Sequence, residues 1–190
     1  ALLYLDLDQF KVVNDTGTHI AGDHLLQQMA TIIRGQVREA DVVARLGGDE
    51  FGILLPFCTT DQAKGIGEKL RRAINEFSFG WNNRLYRVGV SIGVVMIDSA
   101  TIPYVELLRN ADIACYAAKN LGRNRLHVYE PSDKELIRMH GEMQWLNVLE
   151  QALDKDLLKL FIQQIVPVDP QDSLFRFEVL VRLIESDGCI

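Results

Sequence analysis

Residues 41–55 read DVVARLGGDEFGILL, a pattern that is hard to reconcile with a purely structural role. Two short apolar runs, 41–46 and 51–55, flank GGDE, which predicts a β-hairpin whose glycines can adopt positive φ. Asp49 and Glu50 then lie side by side in a tight turn. Neighbouring carboxylates repel, and their desolvation is costly unless a cation or hydrogen-bond donors compensate. The hairpin therefore predicts a compensating ligand.

Strand-like and helix-like segments alternate on both sides of this hairpin. The patterns predict strands at 1–6, 84–97 and 125–130, a turn at 6–19, and helices at 20–37, 60–77 and 103–120. The order β-α-β-β-α-β-α-β, with a hairpin in its middle, is typical of an α+β fold. It predicts a mixed central sheet flanked by helices, and not a doubly wound parallel sheet.

The pattern changes after residue 130, which predicts a second, partial domain. The segment 131–153 is long, charged and helix-prone, as expected of a linker helix, and strands are predicted at 157–166 and 174–183. The chain has 190 residues, enough for one complete core and a piece of another. We therefore expect a first domain at 1–130, a linker at 131–153 and the start of a second domain at 154–190.

Composition excludes several classes of protein. The net charge is -6 and the basic residues are spread out, which argues against a nucleic-acid-binding surface. No apolar run approaches the roughly 20 residues that span a bilayer. Three widely spaced cysteines without a CxxC pattern indicate a reduced, cytoplasmic protein. The first residues are predicted to form an apolar strand and not a signal peptide, so we expect this sequence to be a fragment of a longer protein. Whether that longer protein has a membrane anchor in another segment stays open.

Acidic residues mark one predicted end of the sheet. Asp6 and Asp8 lie at the end of the first strand and share a face, and pairing of the hairpin with this strand would bring Asp49 and Glu50 close to them. Such hard oxygen ligands suit Mg²⁺ or Mn²⁺ together with substrate phosphates. The alternative is that these acids form turns or solvated surface.

Three basic residues could meet phosphates. Lys11 follows the paired aspartates, while Lys119 and Arg123 lie four residues apart and share one face near a predicted helix end. The alternative is that the last two only complement the helix dipole.

Four ordered segments resemble the GGDEF domain of diguanylate cyclases. They are DLDQFKVVND at 6–15, HIAGD at 19–23, RLGGDEF at 45–51 and ADIACYAAKNLGRN at 111–124. The resemblance implies a palm-like fold related to nucleotidyl cyclases, with a ferredoxin-like core. It also implies condensation of two GTP molecules into cyclic di-GMP, with Mg²⁺ or Mn²⁺, by a homodimer in which each domain holds one GTP.

The resemblance also implies roles for individual residues. Asp49 would bind metal and accept the proton of the 3′-hydroxyl, and Glu50 would complete the acidic pair. The implied metal ligands are Asp6, the backbone carbonyl of Leu7, Asp49 and Glu50. The implied substrate contacts are Asn14 and Asp23 for guanine, His19, and for the triphosphate Lys11, Lys119 and Arg123.

Arg38 and Asp41 have the spacing of the family's RxxD site. The resemblance implies that this pair binds cyclic di-GMP and inhibits the enzyme. The alternative is a helix-end arginine with a local ion pair.

This chain departs from the family's pattern in its first turn. The family usually has N-D-x-x-G-H, whereas residues 14–19 read NDTGTH, so Thr18 occupies the usual glycine position. A positive φ there would strain Thr18, unless Gly17 takes up the bend. The family's helix before the first strand, with its L-T-G-L-x-N-R-like segment, is not in this sequence.

The last part of the chain resembles the opening of an EAL phosphodiesterase domain, in LEQALDKDLLKLFIQQIVPV at 149–168 and FEVLVRL at 177–183. Glu178 would match a metal ligand, Gln163 a substrate contact and Arg182 a phosphate contact. Gln164 replaces a usual proline and Val179 a usual alanine. The remaining ligands would lie in later strands, so this part is not expected to hydrolyse anything.

Two functions remain open from the sequence. The first is the cyclase half of a tandem GGDEF–EAL protein, with an upstream sensor domain and a downstream EAL domain. The second is a catalytically weak or inactive domain that binds GTP or cyclic di-GMP and regulates the EAL partner.

Overall fold

The strand that carries the first two aspartates begins the chain and lies at the centre of its main sheet. The computed structural model describes residues 1–98, 102–132, 138, 145, 148–165 and 176–184. It divides into two compact units, Ala1–Ile137 and Arg138–Ile190. In chain order the first unit contains β1 (Leu2–Asp8), α1 (Phe10–Gln36), β2 (Val42–Gly47), β3 (Glu50–Leu54), α2 (Thr60–Glu76), β4 (Phe79–Trp81), β5 (Arg84–Tyr86), β6 (Gly89–Val95), α3 (Tyr104–Asn120) and β7 (Leu126–Val128).

The main sheet has the strand order β2-β3-β1-β6-β7. All neighbours in it are antiparallel except β6 and β7, which are parallel. The sheet is therefore mixed and flanked by helices, which confirms the predicted α+β class. The hairpin of β2 and β3 pairs with β1 through β3, so that Asp6 lies opposite Glu50.

Alternating side chains of β1 direct the packing of the helices. Leu3, Leu5 and Leu7 are at most 1% exposed and belong to a core that also contains residues of α1 and α2. The other face of β1 and β6 meets α3, whose backbone passes directly over Gly93. The two faces of the sheet are thus covered by different helices, and the end of β1 lies where α1 begins.

The first turn differs from the sequence prediction. Residues 6–19 were expected to form a turn, whereas α1 already begins at Phe10 and continues to Gln36 with a break at Thr18. Thr18 has φ 76° and ψ 164°, and Gly17 does not adopt a positive φ. The bend therefore falls on the β-branched residue, a conformation that only glycine adopts without strain. The start of α1 was predicted as a turn because the residues of the polar run NDTGT are typical of turns.

The single strand predicted at 84–97 is divided into β5 and β6, and the small hairpin that β5 forms with β4 was not predicted. It is formed by β4 and β5, which pair around Asn82 and Asn83, both at positive φ, as two-residue hairpin turns require. The hairpin packs against α1, where the Thr16 hydroxyl donates to the Tyr86 hydroxyl at 3.2 Å. It therefore contacts the turn of α1 next to the break at Thr18.

The second unit contains an antiparallel pair, β8 (Leu158–Ile165) and β9 (Arg176–Leu183), after helical residues 148–154. Both strands agree with the predicted segments. Most of the predicted linker helix at 131–153 lies outside the described residues, and the predicted domain limits stay predictions. None of the helices in the described ranges is long and apolar enough to cross a membrane.

Candidate functional site

The β2–β3 turn carries its two acids in a defined geometry. Gly48 has φ 46°, and the Arg45 Nε donates to its carbonyl at 2.9 Å, which closes the turn. The Leu7 backbone N–H donates to the Asp49 carbonyl at 3.3 Å and ties the turn to β1. A Cβ atom placed on Gly47 or Gly48 would meet no atom within 4 Å. The turn is therefore fixed at its base and open to a ligand above its glycines.

Asp6 pairs with Lys119, whose Nζ lies 2.5 Å from Asp6 Oδ2. Burial raises the pKa of Asp6 to about 6; Lys119 opposes this, while Asp49 and Glu50 add to it. Burial lowers the pKa of Lys119, but the hydrogen bond and charge of Asp6 outweigh it and raise that pKa above its usual value. The lysine is therefore stabilised as a cation while the aspartate is not stabilised as an anion. The site holds more negative than positive charge.

Glu50 lies beside the half-buried phenol of Tyr4 on the same face. Burial, and then the Glu50 carboxylate, raise the pKa of the Tyr4 hydroxyl, so that Tyr4 remains a neutral donor. Within the described part of the chain, no group of three His, Cys, Asp or Glu side chains is arranged to hold a metal ion. The donor set nevertheless fits Mg²⁺, since that ion is usually held by one or two carboxylates and completed by phosphates and water.

Asp8 does not belong with the other acids, contrary to the expectation of up to four together. It is 6% exposed. Its Oδ1 accepts from the Ser91 hydroxyl at 2.8 Å and its Oδ2 from the Asn124 backbone N–H at 2.9 Å. Both carboxylate oxygens of Asp8 thus accept hydrogen bonds from the protein itself, which indicates a structural role.

The two residues matched to guanine recognition are brought together by α1. A Cβ on Gly22 would lie 2.0 Å from Asn14 Oδ1, so the Asn14 side chain rests directly on Gly22, next to Asp23. Asp23 also lines a groove of about 440 Å³ between α1 and the hairpin, together with Arg45. Arg45 was not singled out from the sequence, although it begins the RLGGDEF segment.

The other residues matched to substrate contacts are accessible. Lys11 lies in the first turn of α1, His19 directly follows the break at Thr18, and Arg123 follows α3; all three are exposed. Among the described residues, no acid forms an ion pair with Lys11 or Arg123. Of the three cations expected to bind phosphate, only Lys119 forms an ion pair with a carboxylate among the described residues.

A second groove, of about 360 Å³, lies at the end of α1 and contains Arg38 and Asp41. The Asp41 carboxylate accepts from the Arg38 backbone N–H at 2.7 Å, and the Arg34 guanidinium donates to the Asp41 carbonyl at 2.6 Å. In the described part of the chain the Arg38 guanidinium has no ion pair, so the local ion pair considered as an alternative is not formed. Lys69 of α2 lines the same groove and was missed, because only the fold brings α2 there.

In the second unit, two of the residues matched to the EAL domain face one another across the strands. Gln163 of β8 lies opposite Glu178 of β9, and Arg182 lies opposite Lys159. Apolar side chains such as Leu160, Ile162 and Val181 are more than half exposed on this strand pair.

Comparisons with known proteins identify relatives of both parts. A family described as "Diguanylate cyclase, GGDEF domain" matches residues 1–125. The probable diguanylate cyclase DgcE of Escherichia coli is 45% identical over 157 residues, which cover 80% of this chain and 14% of that protein. The cyclic di-GMP phosphodiesterase PdeB of Shewanella oneidensis is 38% identical over 193 residues, which cover 100% of this chain and 22% of that protein. The chain thus spans under a quarter of either relative.

A solved structure agrees with the fold of the first unit. The GGDEF domain of DgcB from Caulobacter crescentus, in complex with c-di-GMP, superposes with a TM-score of 0.63 at 28% identity. The match covers 67% of this chain and 75% of that one.

Proposed function

The chain belongs to the diguanylate cyclase GGDEF family, and from this premise we propose that it condenses two molecules of GTP into cyclic di-GMP and pyrophosphate. The observation that carries the proposal is the open turn of β2 and β3, where Asp49 and Glu50 meet Asp6 beside a single lysine. This excess of negative charge fits a divalent cation that arrives with a triphosphate. A groove lined by Asp23 begins on the other side of the same hairpin.

The residues around the turn divide the work of binding and proton transfer. Asp6, Asp49, Glu50 and the Leu7 carbonyl would hold Mg²⁺ or Mn²⁺, which neutralises phosphate charge and acidifies the attacking hydroxyl. Asp49 would accept the 3′-hydroxyl proton, and Tyr4 keeps Glu50 oriented as an acceptor. The exposed glycines let the α-phosphate approach the backbone without a steric clash.

Substrate selection would follow from the remaining side chains. The Asp23 carboxylate can accept from the N1–H and N2–H₂ edge of guanine, and the Asn14 amide offers both a donor and an acceptor. His19 would contact the nucleotide beside them. Lys11, Lys119 and Arg123 would meet the triphosphate, in agreement with the absence of ion-pair partners for two of them among the described residues.

Catalysis would require two copies of this domain. One such domain would hold one GTP, and each hydroxyl must attack the α-phosphate of the other nucleotide, so two sites must face each other. A homodimer is therefore part of the proposal.

The groove at the end of α1 supports a regulatory site for cyclic di-GMP. Arg38 offers a planar fork for a guanine edge or a phosphate. Because Asp41 holds the Arg38 backbone and Arg34 holds the Asp41 carbonyl, the loop is organised before a ligand arrives. Lys69 adds a second cation to the same groove.

We further propose that the second unit begins an EAL domain and is inactive within this chain. The strand pair exposes apolar side chains that a larger fold would cover. The similarity to PdeB, which is named as a cyclic di-GMP phosphodiesterase, extends over the whole chain and so includes the second unit. Gln163, Glu178 and Arg182 would be its contributions to a site completed by later strands.

One observation favours the second candidate function, a weak or inactive domain that binds GTP or cyclic di-GMP and regulates an EAL partner. Thr18 takes a strained conformation directly before His19. If this strain displaces His19 from the nucleotide, turnover falls while binding persists.

Incubation of the chain with GTP and Mg²⁺, followed by liquid chromatography of the nucleotides, tests the main proposal. We expect cyclic di-GMP from the wild type and none from Asp49→Ala, while Asp98→Ala, an exposed acid outside the site, should retain activity. A dimeric wild type that binds GTP without forming product would contradict the cyclase and leave the binding domain as the function.

A further inference from the structure

Asp8 and Asn124 join the end of β1 to the loop that follows α3. The Asp8 carboxylate is buried and accepts from the Asn124 backbone N–H at 2.9 Å. The Asn124 side chain in turn donates from Nδ2 to Asn75 Oδ1 of α2 at 3.0 Å. The loop is thus attached both to the sheet and to a second helix.

The backbone of this loop requires such an attachment. Gly122, Arg123 and Asn124 all have positive φ, at 116°, 59° and 46°. The left-handed region is unfavourable for Arg123, whereas glycine and asparagine tolerate it better. The Arg123 N–H reaches back to carbonyls of α3, at 3.1 Å and 3.2 Å, but the N–H of Asn124 is taken by Asp8. A charged acceptor gives a stronger hydrogen bond than a neutral one, which favours this conformation.

We propose that Asp8 is a positioning residue that fixes Arg123 for a nucleoside triphosphate through the backbone of Asn124. The proposal rests on the proposed function in one respect, namely that Arg123 meets phosphate. Asp6 holds the Lys119 side chain one turn earlier. Neighbouring aspartates of one strand therefore organise the two cations at the end of α3, one through a side chain and the other through the main chain.

The surroundings of Asp8 argue against a role as a metal ligand. Its two oxygens receive the Ser91 hydroxyl and the Asn124 N–H. A Cβ on Gly89 would lie 2.9 Å from Asp8 Oδ2 and 3.2 Å from Asn124 Cβ, so the contact is closely packed on that side as well. A cation would have to displace these partners.

The chain offers substitutions that separate the possible roles. Asp8→Ala removes both acceptors. Asp8→Asn keeps an oxygen for the Asn124 N–H, because the Ser91 hydroxyl can rotate and accept from the new amide. Ser91→Ala is the matched control, since it removes one donor to Asp8 and leaves the bond to Asn124 intact.

Calorimetry on the full chain with Mg²⁺ compares 3′-deoxy-GTP, which lacks the attacking hydroxyl, with GMP. Asp8→Ala should weaken 3′-deoxy-GTP binding about tenfold and GMP binding much less, as expected from losing a charge-assisted hydrogen bond that positions a cation for the distal phosphates. Asp8→Asn should recover most of the affinity and Ser91→Ala should resemble the wild type. If Asp8→Ala does not fold, Gly89→Ala should give the same selective loss, because its Cβ presses on both partners.

Arg123→Ala supplies the decisive comparison. If Asp8 acts through Arg123, the double variant should bind 3′-deoxy-GTP no more weakly than Arg123→Ala alone. Additive losses, equal weakening of both nucleotides, or a failure of Asp8→Asn to recover binding would overturn the proposal. These outcomes differ from failure of the proposed function, which would appear as a wild type that binds GTP without forming cyclic di-GMP.

Discussion

Replacing Thr18 by glycine should stabilise the first unit, because it removes backbone strain, and among the described residues it removes no side-chain hydrogen bond. Thr18 has φ 76° and ψ 164°, a region populated almost only by glycine. Its side chain is exposed. A non-glycine residue held in such a region costs roughly 1–3 kcal/mol.

The gain is partly offset in the unfolded chain. Glycine has more unfolded conformations to lose, which costs about 0.4–1 kcal/mol. The net increase in the free energy of unfolding should therefore be about 1 kcal/mol, which corresponds to a rise in Tm of roughly 4 °C for a unit of this size.

Differential scanning calorimetry and urea unfolding measure the effect. Thr31→Gly is the matched control, since Thr31 is an exposed threonine inside α1 at ordinary helical φ. That substitution should lower the free energy of unfolding by roughly 0.5 kcal/mol. If Thr18→Gly lowered stability like the control, the strain assigned to Thr18 would not exist.

Three further outcomes follow from the site. Gly22→Ala should displace the Asn14 side chain and reduce the preference for GTP over ATP about tenfold, as expected when a polar base contact is lost; unchanged selectivity in competition binding would contradict the assignment of Asn14. Arg38→Ala should weaken cyclic di-GMP binding without changing Tm, and equal affinity by calorimetry would show that this groove does not bind product. Folding raises the pKa of Asp6 from 3.8 to about 6, so the stability it adds is present below pH 4 and lost as the pH rises through 6. Relative to Asp6→Asn, the wild type should lose at most about 3 kcal/mol of unfolding free energy between pH 4 and 7 in urea titrations, and less with Mg²⁺ and GTP; parallel pH curves would refute this.

The sequence predicted the features that depend on local pattern. The hairpin around GGDE, the amphipathic α2 and the β-branched β6 could be recognised from periodicity and turn residues alone. Pairing of the hairpin with β1 was expected in a compact sheet, and the structure confirms it through β3, which places Asp6 opposite Glu50. These features were enough to identify the candidate site.

The features that escaped prediction depend on contacts between distant segments. Asp8 looks like Asp6 in the sequence, and only the approach of Ser91 and Asn124, 83 and 116 residues later, gives it a different role. Lys69 enters the groove of Arg38 because α2 packs beside the end of α1. A local pattern of residue types does not show which distant residues come into contact in the folded chain.

The single glycine of NDTGTH explains why strain remains at Thr18. A Cβ on Gly17 would lie 2.8 Å from Ala21 Cβ and 3.3 Å from the Tyr86 hydroxyl, so position 17 requires glycine for packing. Position 18 would benefit from glycine for its backbone conformation, but there the chain has threonine. Gly17 cannot relieve the strain at Thr18, because position 17 requires glycine to avoid a steric clash, whereas position 18 favours glycine because of its positive φ. The β4–β5 hairpin, which contacts Thr16 through Tyr86 and Arg84, therefore packs against a strained bend that lies directly before His19.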